Sequence, residues 1–125
     1  DGHVFCRLDQ VEAESRNIVK VIREFYTKLG LFNDGDFIVS LSVRDPKKPE
    51  KYMGDSKNWD KAEEFLEKVA KSENLPYKRV EGEAAFYGPK LDFQFKDAIG
   101  REWQLATIQI DFVQPANFEL SYINE

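Results

Sequence analysis

The chain has 125 residues, 42% of them hydrophobic, 33% charged and 14% aromatic, with a formal net charge of −5. That suffices for one compact unit with a real core and a share of β-structure, while no apolar run approaches the roughly 20 residues of a membrane span. The acidic balance argues against a surface built to grip phosphates broadly, and one cysteine excludes an internal disulfide, leaving the reducing cytosol as the expected compartment.

The opening run Asp1-Gly2-His3-Val4-Phe5-Cys6 has neither the basic head nor the long apolar stretch of a signal peptide. Both ends of the chain read as cuts inside a larger domain. Residues 4–8 read as the end of a strand. Asp9 reads as a helix N-cap, with Glu12 at capping-box spacing. Val11, Ile18, Val19, Ile22, Phe25, Tyr26 and Leu29 recur at helical spacing and predict a helix over 10–29, stopped by Gly30. Asn33-Asp34-Gly35-Asp36 is turn chemistry. It leads into a strand over 37–43, with Phe37, Val39, Leu41 and Val43 on one face and Ser40 and Ser42 on the other.

Residues 44–55 form a polar loop. Ser56 can cap a second helix whose stripe is Trp59, Ala62, Phe65, Leu66, Val69 and Ala70, ended by Asn74-Leu75-Pro76. Tyr77 to Val80 reads as a short strand, and Leu91, Phe93 and Phe95 alternate with polar residues in another. Asp97-Ala98-Ile99-Gly100 is a hairpin loop, and Arg101 to Phe112 is its second arm. The expected class is α+β, an antiparallel sheet with flanking helices, without repeats or a domain linker.

Three features exceed what a plain domain needs. The loop Gly82-Glu83-Ala84-Ala85-Phe86-Tyr87-Gly88-Pro89-Lys90 can hold a phenol and an ammonium at a fixed point; it also reads as an ordinary turn with a solvated lysine. In the arm after the hairpin, Thr107, Gln109 and Asp111 share one parity, while Gln104, Ala106, Ile108, Ile110 and Phe112 share the other. Its polar side is either a site or a wet face of a sheet. His3, the only histidine, precedes Cys6 by three positions, which suggests zinc; yet two ligands do not make a site, and an ordinary buried cysteine near a polar histidine reads equally well.

Taken together the segments resemble the threonyl-tRNA synthetases, a family of class II synthetases. Asp1-Gly2-His3-Val4-Phe5-Cys6 is similar to the end of their motif 2, Asp-Asp-Ala-His-Ile-Phe-Cys. The 82–90 loop resembles Glu-Gly-Ala-Phe-Tyr-Gly-Pro-Lys, and residues 103–112 resemble Trp-Gln-Cys-Gly-Thr-Val-Gln-Leu-Asp-Phe. The resemblance spans nearly the whole chain, with Gly2 for alanine and Leu105-Ala106 for Cys-Gly as departures. It implies an internal part of the catalytic domain, between motif 2 and motif 3. It further implies a cytoplasmic, homodimeric parent that activates threonine with ATP and Mg²⁺ and transfers it to threonine tRNA.

A catalytic Zn²⁺ that binds the amino group and hydroxyl of threonine is also implied, since a metal separates threonine from valine where an apolar pocket cannot. By the same resemblance His3 is one of three protein ligands to that zinc and Cys6 is none. Asp1 receives the threonine hydroxyl, Tyr87 lies near the amino group, and Lys90 meets the phosphates. Gln104, Thr107 and Gln109 contact ATP or the adenylate. The remaining zinc ligands and the arginines of motifs 2 and 3 would lie outside the chain, so the isolated chain is expected to be inactive. The rival is a synthetase-like paralogue that only binds a ligand or partner. Because strict alternation sends Gln104 and Thr107 to opposite faces, a β-bulge is expected at Leu105-Ala106.

Overall fold

The computed structural model describes residues 2–123. Two helices, α1 (Val11–Lys28) and α2 (Ser56–Ser72), lay their apolar stripes on one side of a four-stranded sheet. Each ends in the same motif. After α1, Gly30 adopts φ +72°, its N–H donates to Thr27 O, and the Leu31 N–H donates to Tyr26 O, both at 2.9 Å. After α2, Asn74 takes the left-handed conformation, and the N–H of buried Leu75 donates to Ala70 O at 2.9 Å. No helix among the described residues is long and apolar enough to cross a membrane.

The starts of the helices differ from expectation. Residues 4–8 are not a strand: residues 2–7 have no regular structure, and Leu8–Gln10 is a 3-10 turn. Asp9 lies inside that turn and pairs with Arg7, while the Arg7 N–H donates to Gln10 Oε1 at 2.9 Å. At α2 the cap is Asp55, one residue before the expected Ser56. Its extended backbone lets the carboxylate accept the Lys57 N–H at 2.6 Å.

The strands are β1 (Phe37–Val43), β2 (Tyr77–Glu81), β3 (Lys90–Lys96) and β4 (Glu102–Gln109), in the order β2-β1-β3-β4. The α+β class stands, but the sheet is mixed, since β2 runs parallel to β1. The reason is α2, which carries the chain from one end of β1 back to the other before β2 begins. β3 pairs antiparallel with β1 and β4. In that register Phe37 opposes Phe95, Val39 opposes Phe93, and Leu41 opposes Leu91. One face of the central strands is therefore continuous apolar surface under the helices. Ile108 and Ile110 extend the core, with Ala106 and Phe112 packed against it.

β4 stops sooner than the expected arm to Phe112. Asp111 Oδ1 accepts the N–H groups of Val113 (2.8 Å) and Gln114 (2.9 Å), turning the chain into the short helix α3, Gln114–Asn117.

Candidate functional site

The polar face of the sheet gathers side chains from three strands. Ser42, Lys90 and Gln109 lie side by side in the register, as do Ser40, Asp92 and Thr107. Gln94 pairs with Gln104, and Phe93 pairs with Ala106. Leu105 is left without a partner, so β4 carries a bulge at the expected place. The extra residue returns Gln104 to the face of Thr107, and their side chains meet: Gln104 Nε2 lies 2.8 Å from Thr107 Oγ1. The bulge is anchored from behind by the Tyr26 hydroxyl, which donates to Leu105 O at 2.9 Å.

Asp92, only 4% exposed, is the hub of this face. Its Oδ1 accepts from Gln104 Nε2 (2.9 Å) and from the Thr107 hydroxyl (2.9 Å). Its Oδ2 accepts from the Ser42 hydroxyl and faces the Lys90 ammonium, each at 3.0 Å. A charge taken out of water needs such partners, and here both carboxylate oxygens have two. Nothing in the alternation Leu91, Phe93, Phe95 marks Asp92 as more than a wet-face residue, and sequence reasoning missed it and Ser42. The one available signal was the pair of small serines opposite it, which leaves room for a buried polar group.

The 82–90 loop is pinned before it reaches β3. Gly82, at φ +86°, donates its N–H to Val43 O at 2.9 Å, and Pro89 O accepts the Ile110 N–H at 3.2 Å. Between them Gly88 crosses the Ile110 backbone so closely that a Cβ would stand 1.8 Å from its carbonyl oxygen. That crossing sets Tyr87 beside β4, where its hydroxyl donates to Gln109 Oε1 at 3.1 Å. Gln109 Nε2 in turn donates to Gly88 O at 3.2 Å. The phenol oxygen keeps its acceptor capacity. A mostly apolar pocket lined by Met53, Trp59, Tyr87, Pro89, Phe112 and Val113 adjoins this loop.

Lys90, Gln104, Thr107, Tyr87 and Gln109 thus share one continuous face. His3 is exposed in the irregular segment before α1. Asp1 lies outside the described residues. Among the described residues no group of three or more His, Cys, Asp or Glu side chains could hold a metal ion, and a lone imidazole does not make a zinc site. Cys6 is exposed, not buried as expected, because no strand carries it into the core. Desolvation, then the charges of Glu14 and Asp9, raise its thiol pKa, the opposite of an activated nucleophile.

Comparison with known proteins gives a consistent result. The family described as "tRNA synthetase class II core domain (G, H, P, S and T)" matches residues 1–125. The threonine–tRNA ligase of Ureaplasma parvum serovar 3 is 47% identical over 125 residues, covering 100% of this chain and 21% of that protein. The threonine–tRNA ligase of Bacteroides thetaiotaomicron is 46% identical over 123 residues, covering 98% of this chain and 19% of that protein. Among solved structures, the one described as the RNA binding domain of threonyl-tRNA synthetase from Cryptosporidium parvum Iowa II superposes with a TM-score of 0.83 at 31% identity. It covers 94% of this chain and 28% of that one. The chain spans about a fifth of the length of the curated relatives it matches.

Proposed function

The chain belongs to the class II core family of tRNA synthetases, and on that premise we propose that it is part of the catalytic domain of a threonine–tRNA ligase. The whole protein would activate threonine with ATP and Mg²⁺ and pass it to threonine tRNA. The observation that carries this reading is the single polar face on which Tyr87, Lys90, Gln104, Thr107 and Gln109 converge. It lies in a segment alike over its whole length to proteins named threonine–tRNA ligase.

In this reading Lys90 faces the phosphates, where a positioned ammonium stabilises charge that builds up during adenylate formation. Gln104, Thr107 and Gln109 contact ATP or the adenylate. Tyr87 accepts from the amino group of threonine, and Asp1 receives its hydroxyl. His3 would be one of three protein ligands to a Zn²⁺, the others lying outside this chain; when bound, the metal would hold the amino group and hydroxyl of threonine. The enzyme would work as a homodimer in the cytoplasm.

ATP–pyrophosphate exchange by the full-length protein tests the reading. Exchange that requires threonine and is lost, together with zinc, in His3→Ala is the expected result. Exchange driven by a different amino acid, or ATP binding without exchange, would overturn it; the second outcome would favour a paralogue that only binds. Cys6→Ala should keep both metal and exchange.

A further inference from the structure

Gln104 is committed by its neighbours. Its amide nitrogen lies 2.9 Å from Asp92 Oδ1 and 2.8 Å from Thr107 Oγ1. A carboxylate has acceptors only, so the NH₂ end of the amide must face it, and the orientation of the amide is fixed by chemistry. Gln104 Oε1 is the end left for a ligand, as an acceptor. Thr107 is held in the same way, its hydroxyl proton spent on Asp92 Oδ1 at 2.9 Å. On the other oxygen the same carboxylate holds Lys90 Nζ and the Ser42 hydroxyl at 3.0 Å.

We infer that Asp92 is a positioning residue that sets the hydrogen-bond polarity of the nucleotide site, presenting Gln104 Oε1 as the acceptor for an O–H or N–H donor of ATP. The inference rests on the proposed reading of Gln104, Thr107 and Lys90 as ATP contacts. It adds a residue that touches no ligand and a rule for what the ligand must offer. The donors that ATP can bring to an acceptor are its ribose hydroxyls and its adenine amine. Asparagine is the diagnostic replacement because it keeps the volume of aspartate but not its acceptor-only character. Whichever way the new amide of Asp92→Asn turned, its NH₂ end would oppose either Lys90 and Ser42 or Gln104 and Thr107, all of them donors to this position.

The test uses the full-length protein. Asp92→Asn should lower kcat/KM for ATP in pyrophosphate exchange by about 10- to 100-fold, the range set by charge-assisted hydrogen bonds, while KM for threonine stays within about threefold. In a Gln104→Ala background the same substitution should cost clearly less, because the part of its effect that runs through Gln104 is gone while the part that runs through Lys90 and Thr107 remains. Costs that simply multiply, or a threonine KM that rises as much as that of ATP, would overturn the inference.

Analogues of ATP lacking the 2′-hydroxyl, the 3′-hydroxyl or the adenine amine identify the donor. One of them should be a poor substrate for wild type and nearly blind to Gln104→Ala; equal use of all three would refute the acceptor rule. If the wild-type protein lacked threonine-dependent exchange, the ligase reading would fall. Calorimetric ATP affinity of the same variants would then decide the role of Asp92 by the same non-additivity. Should Asp92→Asn fail to fold, Asp92→Ser enters the same cycle.

Discussion

Two carboxylates are buried on opposite sides of this sheet, and they are used in opposite ways. Glu63 of α2, 7% exposed, is clasped by guanidinium groups: Arg44 Nε at 2.9 Å and an Arg79 terminal nitrogen at 2.6 Å. Those arginines spend their remaining donors on Asp60, Glu67 and the Ser56 carbonyl, and Arg44 stacks over Trp59. The cluster ties α2 to the ends of β1 and β2. Asp92 is held by a lysine, an amide and two hydroxyls, and the amide still has a free end. Full burial of a charge therefore says little about function. What the partners have left over says more.

The largest expected effect separates the two by stability. Glu63→Gln takes the charge from between two guanidinium groups and should destabilise the fold by about 2–3 kcal/mol. That is below the cost of breaking a fully buried pair, because Arg79 is 44% exposed. It should leave the ATP KM of the full-length protein unchanged, whereas Asp92→Asn should raise it. Denaturant titration and kinetics on both variants would measure the contrast, and an ATP KM that moved with Glu63 would erase it.

Next in size is Gly88→Ala. A Cβ 1.8 Å from the Ile110 carbonyl oxygen forces the loop off β4, at about 1–3 kcal/mol if the loop gives way. Amide exchange should show the Ile110 N–H, now bonded to Pro89 O, losing protection, while the amides of β2 near Arg79 keep theirs. Equal loss at both places would mean that the polar face and the arginine cluster are not independent.

The smallest effect uses a third, half-buried carboxylate as reference. Asp97 accepts from Trp103 Nε1, from Arg101 and from the Ile99 N–H, which together lower its pKa from 3.8 to about 2. A depressed folded value means that its contribution is present above 3.8 and is lost as the pH falls towards 2. A carboxyl-carbon NMR titration should place its midpoint near 2. A midpoint near 3.8 would mean that the hairpin tip holds no ordered acceptor.

Much of the fold was legible because its signals are local. The stripe from Val11 to Leu29, the stop at Gly30 and the alternation of Leu91, Phe93 and Phe95 each follow from one stretch of chain. The bulge was legible too, since three polar positions of mixed parity could share a face only if the pleat slipped. What escaped was decided elsewhere in the molecule. The parallel direction of β2 depends on where α2 returns the chain, and the exposure of Cys6 depends on residues 4–8 finding no neighbouring strand. Asp92 escaped because its weight comes from four partners in three different strands, which no spacing reveals.

The bulge also predicts how β4 bears mutation. Leu105 has no partner across the ladder, the residue is 46% exposed, and its backbone carbonyl receives the Tyr26 hydroxyl. Most side chains would serve there, because none of them has to fit a neighbour. Removing the residue is another matter: the strand would close into a plain two-residue repeat, drawing Gln104 a step towards Thr107 and taking away the carbonyl on which α1 is moored. In a saturation library this position should tolerate nearly every substitution and reject the single-codon deletion.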